Sequence, residues 1–209
     1  MRSKALAFAV VAAVFVTSPA IACKGKNVLF EDGFTDVDPA WEIGDQAKIE
    51  NGTIKITATT GHLAQVLYRA DTYDKADICV DAITPGVNDP ANLGTPALLF
   101  SAQGYDDVYF LYISPPNGTA AVARLFKNKW LYPVPYRKVE GIVAQPGATN
   151  TLRVTLNGAR ATAYVNDHKI ADFRINATES GGFVGLNVDG GQTAPVTWTF
   201  KNFKVTDLP

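Results

Sequence analysis

An antiparallel β-sandwich is the fold class this sequence predicts, and three observations predict it. Short segments of alternating apolar and polar residues recur from Asn27 onward, separated by Asn-Gly, Asn-Asp and other Gly- or Pro-bearing turns. No segment holds an apolar i, i+3, i+4, i+7 pattern through several turns, so few or no helices are expected beyond a leader. Hydrophobic residues make up 47% of the 209 and charged residues 19%, which excludes a disordered chain and leaves enough apolar surface for a core between two sheets. A closed barrel satisfies the same pattern and stays open as the alternative.

The elements follow in chain order. Residues 53–58 alternate as Thr-Ile-Lys-Ile-Thr-Ala behind the turn pair Asn51-Gly52. Residues 76–82 alternate again, with Ile78 and Val80 on one face and Asp77, Cys79 and Asp81 on the other. Residues 97–102 and 108–113 are near-continuous apolar runs, the pattern of strands covered on both faces. Residues 152–156, Asn157-Gly158 and 160–165 form a hairpin, and Asn166-Asp167 turns the chain into 168–173. Residues 183–188 and 196–205 complete the set. No linker, charge block or repeat divides the chain, so 23–209 is expected to be one domain.

The first residues are expected to be a signal peptide over 1–22. Arg2 and Lys4 precede an apolar run over 5–16, Ser18-Pro19 breaks it, and Ala20-Ile21-Ala22 fits a cleavage site. The run is too short for a stable span and no other approaches it, so a periplasmic or secreted protein without a membrane span is expected. Cleavage there makes Cys23 the first mature residue, which allows lipidation of its thiol or a disulfide with Cys79, the only other cysteine. Ala20 stands where a lipidation signal usually carries Leu, and an even count in an exported chain favours the disulfide. A net charge of −1 gives no basic footprint, so nucleic acid is not expected as a partner.

Three stretches carry a resemblance. They are Phe30-Glu31-Asp32-Gly33-Phe34 with Trp41 and Asn51-Gly52-Thr53-Ile54; Leu152-Arg153-Val154 through Asn157-Gly158 to Tyr164-Val165-Asn166; and Gly182-Phe183-Val184-Gly185-Leu186 with Phe200-Lys201-Asn202-Phe203-Lys204-Val205. Together the chain resembles concanavalin A-like jelly rolls of the group holding the 3-keto-disaccharide hydrolase domain, family 16 glycoside hydrolases and laminin-G modules. The resemblance implies an antiparallel jelly-roll β-sandwich. It says little about activity, because that fold hosts enzymes, lectins and adhesion modules alike.

The retaining-glucanase site of family 16, Glu-x-Asp-x-x-Glu, is missing: none of Glu31, Glu42, Glu50, Glu140 and Glu179 has an aspartate two residues on. His62 and His168 each follow a turn signal and are expected to be solvated loop residues, with pairing of His62 to Asp106 or Asp107 as the catalytic alternative. Glu31, Asp32, Asp36 and Asp38 could hold a structural calcium ion, although turn-capping aspartates look the same; no other cofactor or metal is expected. The most suggestive segment runs from Tyr105 to Arg137, rich in aromatic residues and arginine. Sugars offer C–H faces that stack on rings and hydroxyls that bind forked donors. A carbohydrate groove is therefore expected from Tyr109, Arg124, Trp130 and Tyr132, on an exported, non-catalytic carbohydrate-binding domain. A sugar-active enzyme and an envelope interaction module are the alternatives.

Overall fold

The computed structural model describes residues 22–87 and 89–209; the leader expected over 1–22 lies outside them save for Ala22. Fourteen strands run in the order β1 (Val28–Asp32), β2 (Ala47–Glu50), β3 (Thr53–Ala58), β4 (Leu63–Tyr73), β5 (Lys75–Ile83), β6 (Thr95–Gly104) and β7 (Asp107–Ser114). They continue as β8 (Thr119–Phe126), β9 (Lys129–Lys138), β10 (Thr149–Asn157), β11 (Arg160–Val165), β12 (His168–Arg174), β13 (Gly182–Asp189) and β14 (Val196–Thr206). The described residues hold only two helical turns, Pro90–Asn92 and Pro115–Asn117, and no helix long and apolar enough to cross a membrane.

Two antiparallel sheets make a jelly-roll sandwich rather than a closed barrel. The larger is ordered β12-β11-β10-β5-β14-β3-β2, with β1 added beside β14; the smaller is ordered β4-β13-β6-β7-β8-β9. Turn chemistry sets the registers. Asn51 and Gly52 both adopt positive φ between Glu50 and Thr53, and Asn166 and Asp167 do so between Val165 and His168, which matches the twist of a two-residue hairpin. In the β10–β11 hairpin Asn157 pairs with Arg160, so the turn is Gly158-Ala159, one residue later than the sequence suggests; Gly158 supplies the positive φ.

The main core lies between the sheets, where Ile54, Ile78, Leu98, Leu111, Val154, Leu186, Trp198 and Phe200 are buried. Trp198 satisfies its indole N–H on the Leu93 carbonyl at 2.7 Å. Phe30, Phe34, Trp41, Tyr68 and Phe203 close one end, with Phe30 stacked 4.0 Å from Tyr68 between ring centroids. The acidic opening segment serves this corner. Asp32 accepts from Trp41 Nε1 and the Phe34 amide, Asp38 accepts from the Ala40 amide, and Glu31 pairs with Lys204.

The outer face of the larger sheet carries a strap. Cys23 is bonded to Cys79, with Cα atoms 5.6 Å apart, and both residues are buried. The Lys24 amide donates to Asp77 Oδ2 at 2.7 Å, while Arg153 Nε donates to Asp77 Oδ1 at 2.7 Å. Asp77 is fully buried beneath this segment, and the Arg153 guanidinium lies over the Tyr164 ring.

Candidate functional site

The smaller sheet is unusual in burying apolar residues on both faces. Leu98, Phe100, Tyr109, Leu111 and Val122 face the main core. Leu67, Ala97, Leu99, Phe110, Tyr112 and Ala123 form a second cluster on the outward face. Trp130 of β9 covers part of that cluster, with its ring 5.1 Å from Phe110 and 6.4 Å from Tyr112 between centroids. Edge strand β9 is exposed except at Val134; its Pro133 and Pro135 cannot donate to an added strand, which guards the edge.

Beyond Trp130 the outward face opens into a cavity of about 490 Å³ whose walls include His62, Leu63, Trp130, Tyr132, Tyr136 and Asp189, with Tyr112 at its floor. Leu63 and Trp130 belong to opposite edges of the sheet, five interstrand steps apart, or roughly 24 Å if the sheet were flat. Trp130 crosses part of that span by reaching over β7, where its ring lies against Phe110 and Tyr112. Trp130, Tyr132 and Tyr136 share the wall because each exposes much of its ring; Tyr132 and Tyr136 lie 6.3 Å apart between centroids.

The floor comes from cross-strand register. Asp189 stands opposite Leu63 of β4 and Thr95 of β6, and Asn187 stands opposite Gln65 and Ala97. Ala97 in turn faces Tyr112, which places Gln65, Asn187 and Tyr112 in one row. Asn187 is fully buried and donates through Nδ2 to the Tyr112 hydroxyl at 3.5 Å. Asn187 Oδ1 and Gln65 Nε2, one acceptor and one donor, have no protein partner.

Asp189 is the chemically distinctive group. Burial pushes its carboxyl up from 3.8 to about 6, and a 3.4 Å hydrogen bond from Thr95 Oγ1 offsets this only in part. Burial also pushes the Tyr136 phenol up to about 12 and raises the Tyr112 phenol, each aided by the Asp189 charge. The cavity thus holds a carboxylate that can take a proton near neutral pH and phenols that stay protonated beside it. Asp189 and Gly61 also border an adjoining cavity of about 590 Å³ with a polar lining that includes Thr95, Ser114, Asn117 and Gln192.

The structure brings together Trp130 and Tyr132, two of the four residues the sequence singled out, and places Tyr109 and Arg124 elsewhere. Tyr109 and Arg124 do share a face, as cross-strand partners, but it is the face toward the main core. Tyr109 accepts the Asn176 amide at its hydroxyl. Arg124 is 7% exposed and donates twice to Asp107 Oδ1, at 3.0 and 2.8 Å, with its guanidinium over the Tyr109 and Phe126 rings. With its donors directed at Asp107, Arg124 braces the end of the sandwich. His62 lines the aromatic cavity with Asp189 rather than meeting Asp107. His168 lies instead beside Gly141. No cluster of three or more His, Cys, Asp or Glu suited to a metal ion occurs among the described residues.

Residues 25–206 match the model of the 3-keto-alpha-glucoside-1,2-lyase-like domain family. No curated protein matches the chain. Among solved structures, the fold is similar to the carbohydrate binding module CBM66 from Bacillus subtilis (17% identity, 74% of this chain and 86% of that one, TM-score 0.59). It is also similar to the catalytic domain of an endo-1,3-beta-glucanase, a laminarinase, from Thermotoga petrophila (12% identity, 88% and 98% covered, TM-score 0.60). A third is the beta-glucanase of Bacillus licheniformis (10% identity, 85% and 97% covered, TM-score 0.62). At these identities the likeness is one of fold.

Proposed function

The chain belongs to the 3-keto-alpha-glucoside-1,2-lyase-like domain family, and from that premise we propose that it binds a saccharide in the aromatic cavity on the outward face of the smaller sheet. The observation that carries this reading is the convergence of Trp130, Tyr132 and Tyr136 with Tyr112, His62 and Asp189 around one cavity. Rings supply stacking area for C–H faces, and the Asp189 carboxylate, the His62 imidazole and the tyrosine hydroxyls supply polar partners for hydroxyls. The Cys23–Cys79 disulfide fits an oxidising compartment outside the cytoplasm, and export by the leader expected over 1–22 would give access to such a ligand. The neighbours named for carbohydrate binding and glucan cleavage agree with a sugar ligand.

The direct test is calorimetry of the chain with methyl α-glucoside, maltose and their 3-keto forms. Trp130→Ala is expected to weaken binding about tenfold or more, since stacking of this kind contributes on the order of 1–2 kcal/mol. Arg124→Gln is expected to leave the affinity unchanged while lowering stability. If none of the four sugars binds, or if Arg124→Gln is the variant that loses them, the aromatic cavity is not the ligand site.

The raised carboxyl of Asp189 favours a second, catalytic reading of the same cavity. In a 3-keto glucoside the C3 carbonyl acidifies the C2 hydrogen. In a 1,2-elimination a base takes that proton, the C1–O bond breaks with its electron pair leaving on oxygen, and a C1=C2 double bond forms. Asp189 and His62 both line the cavity as candidate bases. Asp189, whose burial raises its carboxyl to about 6, is the one assigned here, and the protonated Tyr136 or Tyr112 phenol can give a proton to the departing alkoxide. Release of methanol from methyl 3-keto-α-glucoside, with appearance of the enone chromophore, separates lyase from binding module.

A further inference from the structure

We propose that the outer face of the larger sheet carries a second binding site, for an oxyanion borne on a sugar-sized body, between Arg160 and Arg174. This site is remote from the aromatic cavity and does not depend on the reading given to it. Arg160 of β11 stands directly opposite Arg174 of β12, and on its other side opposite Asn157 of β10, which faces Lys75 of β5. One cross-strand row of the outer face therefore holds three cations and an amide. Like charges placed directly opposite are unfavourable in an antiparallel pair.

No carboxylate among the described residues stands within ion-pair distance of that row. Arg153 is held by Asp77, Lys24 by Asp167, Lys169 by Asp172 and Lys204 by Glu31, whereas neither Arg160 nor Arg174 forms an ion pair. The neighbouring carboxylate, Asp172, is taken at 2.6 Å by Lys169 Nζ and at 2.8 Å by the Thr162 hydroxyl, which together hold it below the usual aspartate range.

Arg160 and Arg174 border a cavity of about 700 Å³, larger than the aromatic one, with Thr155 and Thr162 on the sheet beneath, Tyr164 and Asp172 beside them and Leu208 and Pro209 in its wall. Two rigid forks side by side, with the Thr155 hydroxyl one cross-strand row along, match the oxygens of a phosphate, sulfate or carboxylate, which each fork can bind bidentately. The volume exceeds what a bare ion fills, and Tyr164, one ring face of which is covered by Arg153, borders it, so the fitting ligand is an anionic sugar rather than the ion alone.

The test titrates the chain at low ionic strength with glucose 6-phosphate, glucuronate, glucose and inorganic phosphate, followed by calorimetry and by thermal shift. Glucose 6-phosphate or glucuronate is expected to bind and raise the melting temperature, and glucose is not expected to bind here; whichever anion binds more tightly identifies a phosphorylated or a uronic sugar. Arg160→Gln and Arg174→Gln are each expected to weaken that binding about tenfold, as loss of a charge-assisted pair does. Lys129→Gln, of equal charge change on the other sheet, should leave it intact. The ligand-free melting temperature of both arginine variants is expected to be the same as or higher than wild type, because like-charge repulsion is relieved. Absence of binding by every anion overturns the proposal, as does binding that all three variants share equally or inorganic phosphate binding as tightly as the anionic sugars.

Discussion

Replacing Cys23 and Cys79 together by Ser is expected to lower the stability of the domain by about 4 kcal/mol, the loop-entropy value for a bridge whose ends are 56 residues apart. The local structure adds a reason beyond chain entropy. The bridge pins the segment whose Lys24 amide caps Asp77, and Asp77 is the buried partner of Arg153. If the segment lifts, the carboxylate loses a hydrogen bond and gains water. Asp77→Ala alone is expected to cost about 3–5 kcal/mol, because it leaves the Arg153 guanidinium buried without a counter-charge. The losses should not add: the triple variant should fall short of the summed effects, since bridge and carboxylate order the same segment. Urea unfolding of the four proteins, each in oxidising and reducing buffer, reads both the magnitudes and the coupling. Equal midpoints for oxidised and reduced wild type would show that the strap contributes nothing.

Most of this frame was legible in the sequence, and each success has a local cause. Asn51-Gly52 and Asn166-Asp167 specify hairpins because few other pairs tolerate two positive φ values in succession. The disulfide was legible because two cysteines allow one pairing. Strands β4, β8 and β9 were less so. In β9 the run Trp-Leu-Tyr-Pro-Val-Pro-Tyr looks like a loop until its edge position explains the prolines. The site failed at one step. Alternation places Tyr109 and Arg124 on the same face, which is correct, but it cannot say which face is the core when both are apolar. The residues that the reading missed left a signal. Asn187 and Asp189 are two polar residues at period two inside the otherwise apolar run Gly-Phe-Val-Gly-Leu-Asn-Val-Asp, so they share a face that cannot be ordinary core. Their neighbours Gln65, Thr95 and Tyr112 come from other strands, and only the register brings them together.

Asp189→Asn is expected to make the protein more stable and to abolish elimination if the cavity is catalytic. The stability effect follows from linkage. In the folded chain the carboxyl titrates near 6, against 3.8 when solvated, so the folded state holds its proton more tightly. The resulting stabilisation is complete below pH 3.8 and is lost as pH rises through about 6. At pH 7 the wild type therefore keeps an ionised, half-buried carboxylate that costs at most about 3 kcal/mol, and the amide removes that cost while preserving an acceptor for Thr95. The melting temperature of Asp189→Asn at pH 7 should exceed that of wild type by several degrees, and the gap should close on acidification to pH 4. Function should move the other way. The amide cannot take the C2 proton, so release of methanol from methyl 3-keto-α-glucoside should fall to background while sugar affinity changes little, since Trp130, Tyr132 and Tyr136 remain. In a binding module the same variant would gain stability with no activity to lose. A variant less stable than wild type at pH 7 would mean that Asp189 is a well-solvated or paired carboxylate, and the assignment of a proton acceptor to this cavity would fall with it.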